Sequence, residues 1–146
     1  MTTDTPVPPP LLLYDGECGL CDRTVQAVLE RDARGLVHFA PLQGQTARAV
    51  LTRHGRDPAP PRFDSVVLVE GFGGARERLV ERSDAAIALA RHLGGRSASL
   101  ARFLELIPRP LRDAAYGLVA RNRHRLFPPP SACRIPRPGE RVRFLP

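Results

Sequence analysis

A short apolar segment that runs directly into two closely spaced cysteines constrains the fold of this chain more than any other feature. Residues 11–13 are three leucines, and Cys18 and Cys21 follow them in a Cys-x-x-Cys motif. From Val25 onward apolar residues recur at helical spacing, and residues 36–40 then alternate as in a second strand. A strand, a helix and a strand within about thirty residues normally join two parallel strands by a right-handed crossover.

The position of the two thiols at the start of the predicted helix favours redox chemistry. The first turn of a helix has unpaired backbone N–H groups and the positive end of the helix dipole, and both stabilise a thiolate. The three-residue offset places the sulfurs of Cys18 and Cys21 on one side of that turn. We therefore predict that Cys18 is the exposed, attacking thiol. Cys21 is predicted to be the resolving thiol, deeper in the helix and better shielded.

The chain up to about residue 96 continues the alternation of strands and helices. Residues 43–54 have apolar positions at helical spacing, and residues 66–70 are nearly all β-branched or apolar, as in a buried central strand. A glycine-rich turn predicts a hairpin whose second strand, near residues 78–81, lies at an edge of the sheet. Ser83 is placed to cap the next helix, which the glycines at 94–95 end. This order predicts an α/β fold with a mixed sheet flanked by helices.

The last third of the chain adds a helical pair and an end rich in proline and arginine. We expect the helical pair to pack over the sheet, with presentation of a surface to a partner as the alternative. The residues predicted to face inward are Leu100, Phe103, Leu104, Ile107, Leu111, Ala114, Ala115, Leu118, Val119 and Leu126. The predicted organisation is a disordered tail over residues 1–10, a core over 11–96, a helical extension over 97–127 and a C-terminal tail over 128–146.

The residues around the cysteines resemble those of a known family. Tyr14, Asp15 and Gly16 precede the cysteines in the order Asp-Gly-x-Cys-x-x-Cys after a hydrophobic strand. This is similar to the signature of the thiol-disulfide oxidoreductase DCC family, which is named for that aspartate and those cysteines. Later blocks resemble the family in the same order, at residues 64–69, 81–85, 107–113, 116, 121–123, 133–136 and 143–145. The resemblance implies a thioredoxin-like core and a redox role.

In a thioredoxin-like core the cysteine pair falls where that fold has its redox site. Asp15 is then a candidate catalytic residue that tunes the thiols or relays a proton, with turn formation as the alternative. We expect Gly16, Gly19, Leu20 and Ser65 to line the substrate site. Ser65 stands just before the third strand, where thioredoxins have a cis-proline, and Gly19-Leu20 replaces their Gly-Pro. Substrate docking is therefore expected to differ from that of thioredoxin.

The expected cellular compartment and the number of cysteines limit the roles that these cysteines can have. Residues 1–10 contain four prolines but no basic residue and no apolar run, so we expect neither a signal peptide nor a membrane segment. The expected location is cytoplasmic, where a Cys-x-x-Cys is more often catalytic or metal-binding than a structural disulfide. A zinc site would need Cys133 and a histidine as further ligands, and we predict no metal and no other cofactor. Cys133 is interpreted as a buried apolar thiol or an additional redox partner.

The positive charge is concentrated at the C-terminal end. The net charge of +7 lies entirely in residues 109–146, which hold nine arginines against Asp113 and Glu140. Such an end could bind an anionic surface, and a membrane or an acidic protein is favoured over nucleic acid because aromatic residues for base stacking are scarce. Solvated arginines without a partner are the alternative. The arginines in question are Arg121, Arg123, Arg125, Arg134, Arg137, Arg141 and Arg143.

The sequence thus predicts a thiol-disulfide oxidoreductase that uses Cys18 and Cys21. Its predicted substrates are the disulfide of a partner protein or a small thiol. The alternative is a non-catalytic adaptor whose arginine-rich C-terminal face binds an anionic surface and whose cysteines are structural or bind zinc. Bound zinc, or cysteines that never pair, would favour the adaptor.

Overall fold

The computed structural model describes residues 8–58, 66–128 and 136–146. Ser65, which the sequence predicts to line the substrate site, and Cys133, interpreted as a buried thiol or an additional redox partner, lie outside these described residues. Within them, no helix combines the length and the apolar character needed to cross a membrane.

The order of strands and helices up to the third helix is the one that the sequence predicts. The elements are β1 (Leu11–Tyr14), α1 (Gly19–Arg31), β2 (His38–Pro41), α2 (Gln45–Arg53), β3 (Val67–Glu70), β4 (Arg78–Glu81), α3 (Arg82–Leu93), α4 (Gly95–Glu105), α5 (Arg109–Leu126) and a 3-10 turn at Arg141–Arg143. The predicted boundaries of the first seven elements differ from these by only a few residues, because each of those elements carries its own local pattern.

The sheet has the strand order β2-β1-β3-β4. β1 and β2 are parallel, with Leu12 opposite Phe39, whereas β3 runs antiparallel to both β1 and β4. The predicted crossover, the central position of β3 and the edge position of β4 are therefore confirmed. This mixed four-stranded sheet with its flanking helices is the predicted thioredoxin-like α/β core.

The two faces of the sheet bury different residues of the same short strand. Leu11 and Leu13 pack with Val50 of α2 on one face, and Leu12 packs with Val28 of α1 and with α3 on the other. Successive side chains of a strand point to opposite faces. Three leucines in a row are therefore all buried because helices cover both sides of β1.

The junction between β4 and α3 departs from the predicted capping. α3 begins immediately after β4, and Glu81, not Ser83, is the residue that precedes the helix. Arg82 takes a positive φ of 56°, as no other non-glycine residue among those described does. The strand turns into the helix there without a connecting residue. The Ser83 hydroxyl donates instead to a carboxylate oxygen of Asp113 on α5, at 2.5 Å.

The apolar positions of α4 and α5 are more exposed than predicted. α5 contains no buried residue among those described, and in α4 only Ala101 is buried. Leu118 is 58% exposed and Phe103 is 64% exposed. The prediction that these positions face inward is wrong for most of them, and only Leu104 and Ile107 are half-buried, beside α3. α5 makes only limited contact with α3 and α1. Hydrogen bonds and ion pairs between side chains of α5 and residues of the core account for much of its attachment.

The last residues run along the outer edge of β2. The Leu145 N–H donates to the Phe39 carbonyl at 2.7 Å, and Phe144 stacks on Phe39 with ring centroids 4.9 Å apart. The Arg143 guanidinium lies 2.6 Å from a carboxylate oxygen of Asp32, and both side chains are nearly buried. We call residues 136–146 the C-terminal strap. It covers backbone groups of β2 that an uncovered edge strand would expose.

Candidate functional site

The two cysteines of the motif lie where β1 leads into α1. Cys18 is the residue that caps the start of α1, and its carbonyl accepts the N–H of Asp22 at 3.0 Å. Cys21 lies in the first turn of the helix. The predicted position of the pair at the helix N-terminus is therefore confirmed.

Both thiols are buried, which the sequence did not predict for Cys18. The exposed fraction is 1% for Cys18 and 4% for Cys21, and both are free thiols. The prediction that Cys18 is exposed and less shielded than Cys21 is wrong. The Cys18 side chain interacts directly with the Cys21 thiol, and the two residues lie three positions apart at the start of α1.

Burial has a strong effect on the second thiol. The pKa of Cys21 is raised from 9.0 to about 12, chiefly by desolvation and also by the neighbouring Cys18, while a backbone hydrogen bond from Asp15 opposes the shift. Cys21 is therefore protonated at neutral pH. A protonated thiol is a poor nucleophile, so Cys21 needs a nearby base before it can attack.

The Asp15 side chain organises the turn between β1 and α1. Its Oδ1 accepts the N–H of Glu17 and the side-chain amide of Gln43, each at 3.0 Å. Its Oδ2 lies 3.7 Å from the guanidinium of Arg123 on α5. Turn formation, one of the two predicted roles of Asp15, thus agrees with the hydrogen bond to Glu17. Gln43 and Arg123 are neighbours of the site that sequence reasoning missed.

The glycines and the leucine of the motif have different surroundings. Gly16 is exposed, whereas Gly19 is buried beneath the end of α5. A Cβ on Gly19 would lie 2.3 Å from the Pro128 carbonyl oxygen and 2.8 Å from that of Phe127. Only glycine allows the two backbones to come this close. Leu20 is half-buried and lines an adjoining cavity.

That cavity lies between α1, α3, α4 and α5 and has a volume of about 440 Å³. Leu20, Val66 and Tyr116 form the wall nearest the motif, and Arg23 and Arg82 also line it. Most of its lining is apolar. The cavity therefore offers an apolar surface beside the dithiol.

Tyr116 of α5 joins this wall to the start of β3. Its hydroxyl oxygen accepts the N–H of Val66 at 3.0 Å. Burial is the largest cause of the raised pKa of Tyr116, and the electrostatic influence of Cys21 acts in the same direction. Tyr116 belongs to one of the blocks that resemble the family, but no sequence pattern indicated its contact with β3.

Metal ligation and charge complete the description of the site. In residues 8–58, 66–128 and 136–146, no group of three or more His, Cys, Asp or Glu side chains is arranged to hold a metal ion. Two arginines assigned by sequence to a possible anion-binding face, Arg123 and Arg143, pair with carboxylates of the chain itself.

Comparisons with known proteins identify the family to which the chain belongs. The chain matches the model of the DCC1-like thiol-disulfide oxidoreductase family over residues 12–128. It is 36% identical over 144 residues to the uncharacterized protein YuxK of Bacillus subtilis (strain 168), with 99% of each chain covered. It is 33% identical over 126 residues to a chloroplastic DCC family protein of Arabidopsis thaliana, covering 86% of this chain and 69% of that protein. No solved structure matches the chain. The chain belongs to the DCC1-like thiol-disulfide oxidoreductase family.

Proposed function

We propose that the protein catalyses dithiol–disulfide exchange, with Cys18 as the attacking thiol and Cys21 as the resolving thiol. The observation that carries this proposal is the position of two free thiols, three residues apart, at the start of α1. Membership of a thiol-disulfide oxidoreductase family supports the same general chemistry. The helix N-terminus supplies the positive potential that an attacking thiolate needs.

In the reducing direction the exchange has two steps. The Cys18 thiolate attacks one sulfur of a partner disulfide, which breaks that bond, forms a mixed disulfide and releases a partner thiolate that takes up a proton. Cys21 then loses its proton and attacks the Cys18 sulfur, which frees the second partner thiol. The partner gains two electrons and two protons, and the Cys18–Cys21 pair loses them as it forms a disulfide.

The high pKa of Cys21 sets a requirement for the second step. Since Cys21 holds its proton at neutral pH, a base must accept it when the mixed disulfide forms. The Asp15 carboxylate interacts electrostatically with the Cys21 thiol and is the proposed acceptor. The proposed partners are a disulfide-containing protein or a small disulfide, and the proposed location is the cytoplasm.

The adaptor remains a distinct candidate with its own test. Exposed C-terminal arginines such as Arg121 and Arg125 support it, although Arg123 and Arg143 are engaged within the chain. An adaptor requires salt-sensitive partner binding that survives replacement of both Cys18 and Cys21 by serine.

Trapping of the mixed disulfide tests the exchange proposal. In a Cys133→Ser background, Cys21→Ser is expected to accumulate a mixed disulfide with glutathione after addition of glutathione disulfide, because the resolving thiol is missing. Cys18→Ser should not accumulate it, and Asp15→Asn should prolong the mixed disulfide formed by the protein that keeps both thiols. Intact mass and peptide mapping measure each species. Equal trapping by the two serine variants would contradict the assigned roles.

A further inference from the structure

The burial of Cys18 raises the question of how a partner reaches it. A sulfur in a side chain that is 1% exposed cannot be approached in line by a partner disulfide. Among the described residues, the C-terminal half of α5 and the two residues that follow it contact Gly19 and Asp15, on either side of Cys18 in the sequence. We call residues 118–128 the cover.

The cover closes over the first turn of α1. The carbonyls of Phe127 and Pro128 lie against Gly19, the residue that follows Cys18. The Arg23 guanidinium lies over the Phe127 ring, 5.3 Å from its centroid. Arg123 approaches the Asp15 carboxylate to 3.7 Å. Backbone contact, a cation–π contact and an ion pair thus converge on the motif.

The N-terminal half of α5 is attached differently. Asp113 accepts the Ser83 hydroxyl at 2.5 Å, and Arg109 and Arg112 lie 3.0 and 3.2 Å from the Asp84 carboxylate. Tyr116 accepts the N–H of Val66. These contacts fix the first half of α5 to α3 and to the start of β3, on the near side of Gly117.

Gly117 separates the two halves of α5. Glycine in the middle of a helix lowers its stability by about 1 kcal/mol relative to alanine. No packing contact requires glycine here, since an added Cβ would meet only the Arg121 guanidinium, at 3.6 Å. The helix is therefore weakest where its fixed half meets the half that covers the thiols.

We propose that residues 118–128 form a hinged cover that moves about Gly117, and that Cys18 reacts with external disulfides only when this cover is open. The cover contains no fully buried side chain, so its opening loses partly exposed contacts and leaves the hydrophobic core intact. The purpose assigned to the cover rests on the proposed exchange function. The motion itself is independent of any redox activity.

Alkylation of Cys18 tests the cover without requiring exchange chemistry. In a Cys21→Ala, Cys133→Ser background, only one thiol remains, and the rate of its reaction with iodoacetamide is compared with that in urea-unfolded protein. Gly19→Ala should raise the native-state rate at least about tenfold, because its Cβ displaces the Phe127 and Pro128 carbonyls. Gly117→Ala should lower the rate roughly fivefold, the factor that corresponds to about 1 kcal/mol of helix propensity.

A matched pair of arginine variants provides the control. Arg123→Gln should raise the rate about fivefold, since it removes the ion pair with Asp15. Arg121→Gln removes the same charge from an exposed position of the same helix and should change the rate less than about twofold.

If the Gly19→Ala variant does not fold, the comparison of alkylation rates between the two arginine variants tests the proposal. Equal rates for both arginine variants would overturn the proposal. So would a rate for Arg143→Gln, which lowers global stability without touching residues 118–128, that rises by the full factor corresponding to its loss of unfolding free energy.

Discussion

Two arginine-rich segments follow the core, and they are attached to it in opposite ways. The C-terminal strap pairs its backbone with β2, stacks Phe144 on Phe39 and joins Arg143 to Asp32 in a nearly buried ion pair. The cover lies over the thiols without a fully buried side chain. The first attachment combines backbone pairing, aromatic packing and a desolvated ion pair. The second relies on contacts whose loss leaves the core intact.

The difference shows that residue type alone does not determine what a segment does. Arg123 and Arg143 each face a carboxylate, but Arg143 also donates to the Val37 carbonyl at 2.8 Å. The ion-pair distance is 2.6 Å at Arg143 and 3.7 Å at Arg123. We interpret the strap as a segment that stabilises the edge of the sheet, and the cover as a segment that controls access to the dithiol.

The largest expected effect on stability comes from the strap. Arg143→Gln should lower the free energy of unfolding by about 3 kcal/mol, because it leaves the buried Asp32 carboxylate without its charged partner. Arg123→Gln should cost about 1 kcal/mol or less, since its guanidinium lies 3.7 Å from the Asp15 carboxylate, against 2.6 Å for Arg143 and Asp32. Urea denaturation followed by circular dichroism measures both. Equal losses of unfolding free energy in the two variants would show that the strap and the cover are attached to the core with similar strength.

A smaller effect should appear at alkaline pH at the thiol end of the molecule. Because the folded-state pKa of Cys21 is raised from 9.0 to about 12, the folded state favours the protonated thiol. The associated stability is fully present below pH 9 and is lost as the pH rises towards 12. At pH 10 the free energy of unfolding should be about 1 kcal/mol lower than it is well below pH 9, through Cys21 alone.

The control for this pH dependence is a variant that cannot ionise at the same position. The difference in unfolding free energy between the parent and Cys21→Ser should change between pH 8 and pH 10. A parent and a variant with parallel pH profiles would contradict the burial of the Cys21 thiol.

The sequence predicted those parts of the fold that depend on local patterns. The leucines of β1, the helical spacing after Cys21 and the hairpin before α3 each lie within a short window. The parallel pairing of β1 and β2 follows from chain geometry once those elements are identified. Placement of the two cysteines at the start of α1 follows for the same reason.

The errors arose where distant parts of the chain meet. The residue next to Cys18, Gly19, packs against Phe127 and Pro128, more than a hundred residues later, and no local pattern contains that contact. Helical spacing in α5 defined an apolar face but did not indicate how much of that face another element covers. Ser83 fits the pattern of a helix cap, yet α3 begins at Arg82, so Ser83 lies inside the helix and its hydroxyl donates to Asp113 on α5.

Redox titration of the dithiol tests the central claim most directly. The Cys133→Ser protein is analysed for bound zinc and then equilibrated with glutathione and glutathione disulfide over a series of ratios. Intact mass and peptide mapping report the bond between Cys18 and Cys21. We predict a reversible loss of two hydrogens from this pair with a defined midpoint and no stoichiometric zinc. Stoichiometric zinc, or thiols that never pair at any ratio, would contradict the exchange function.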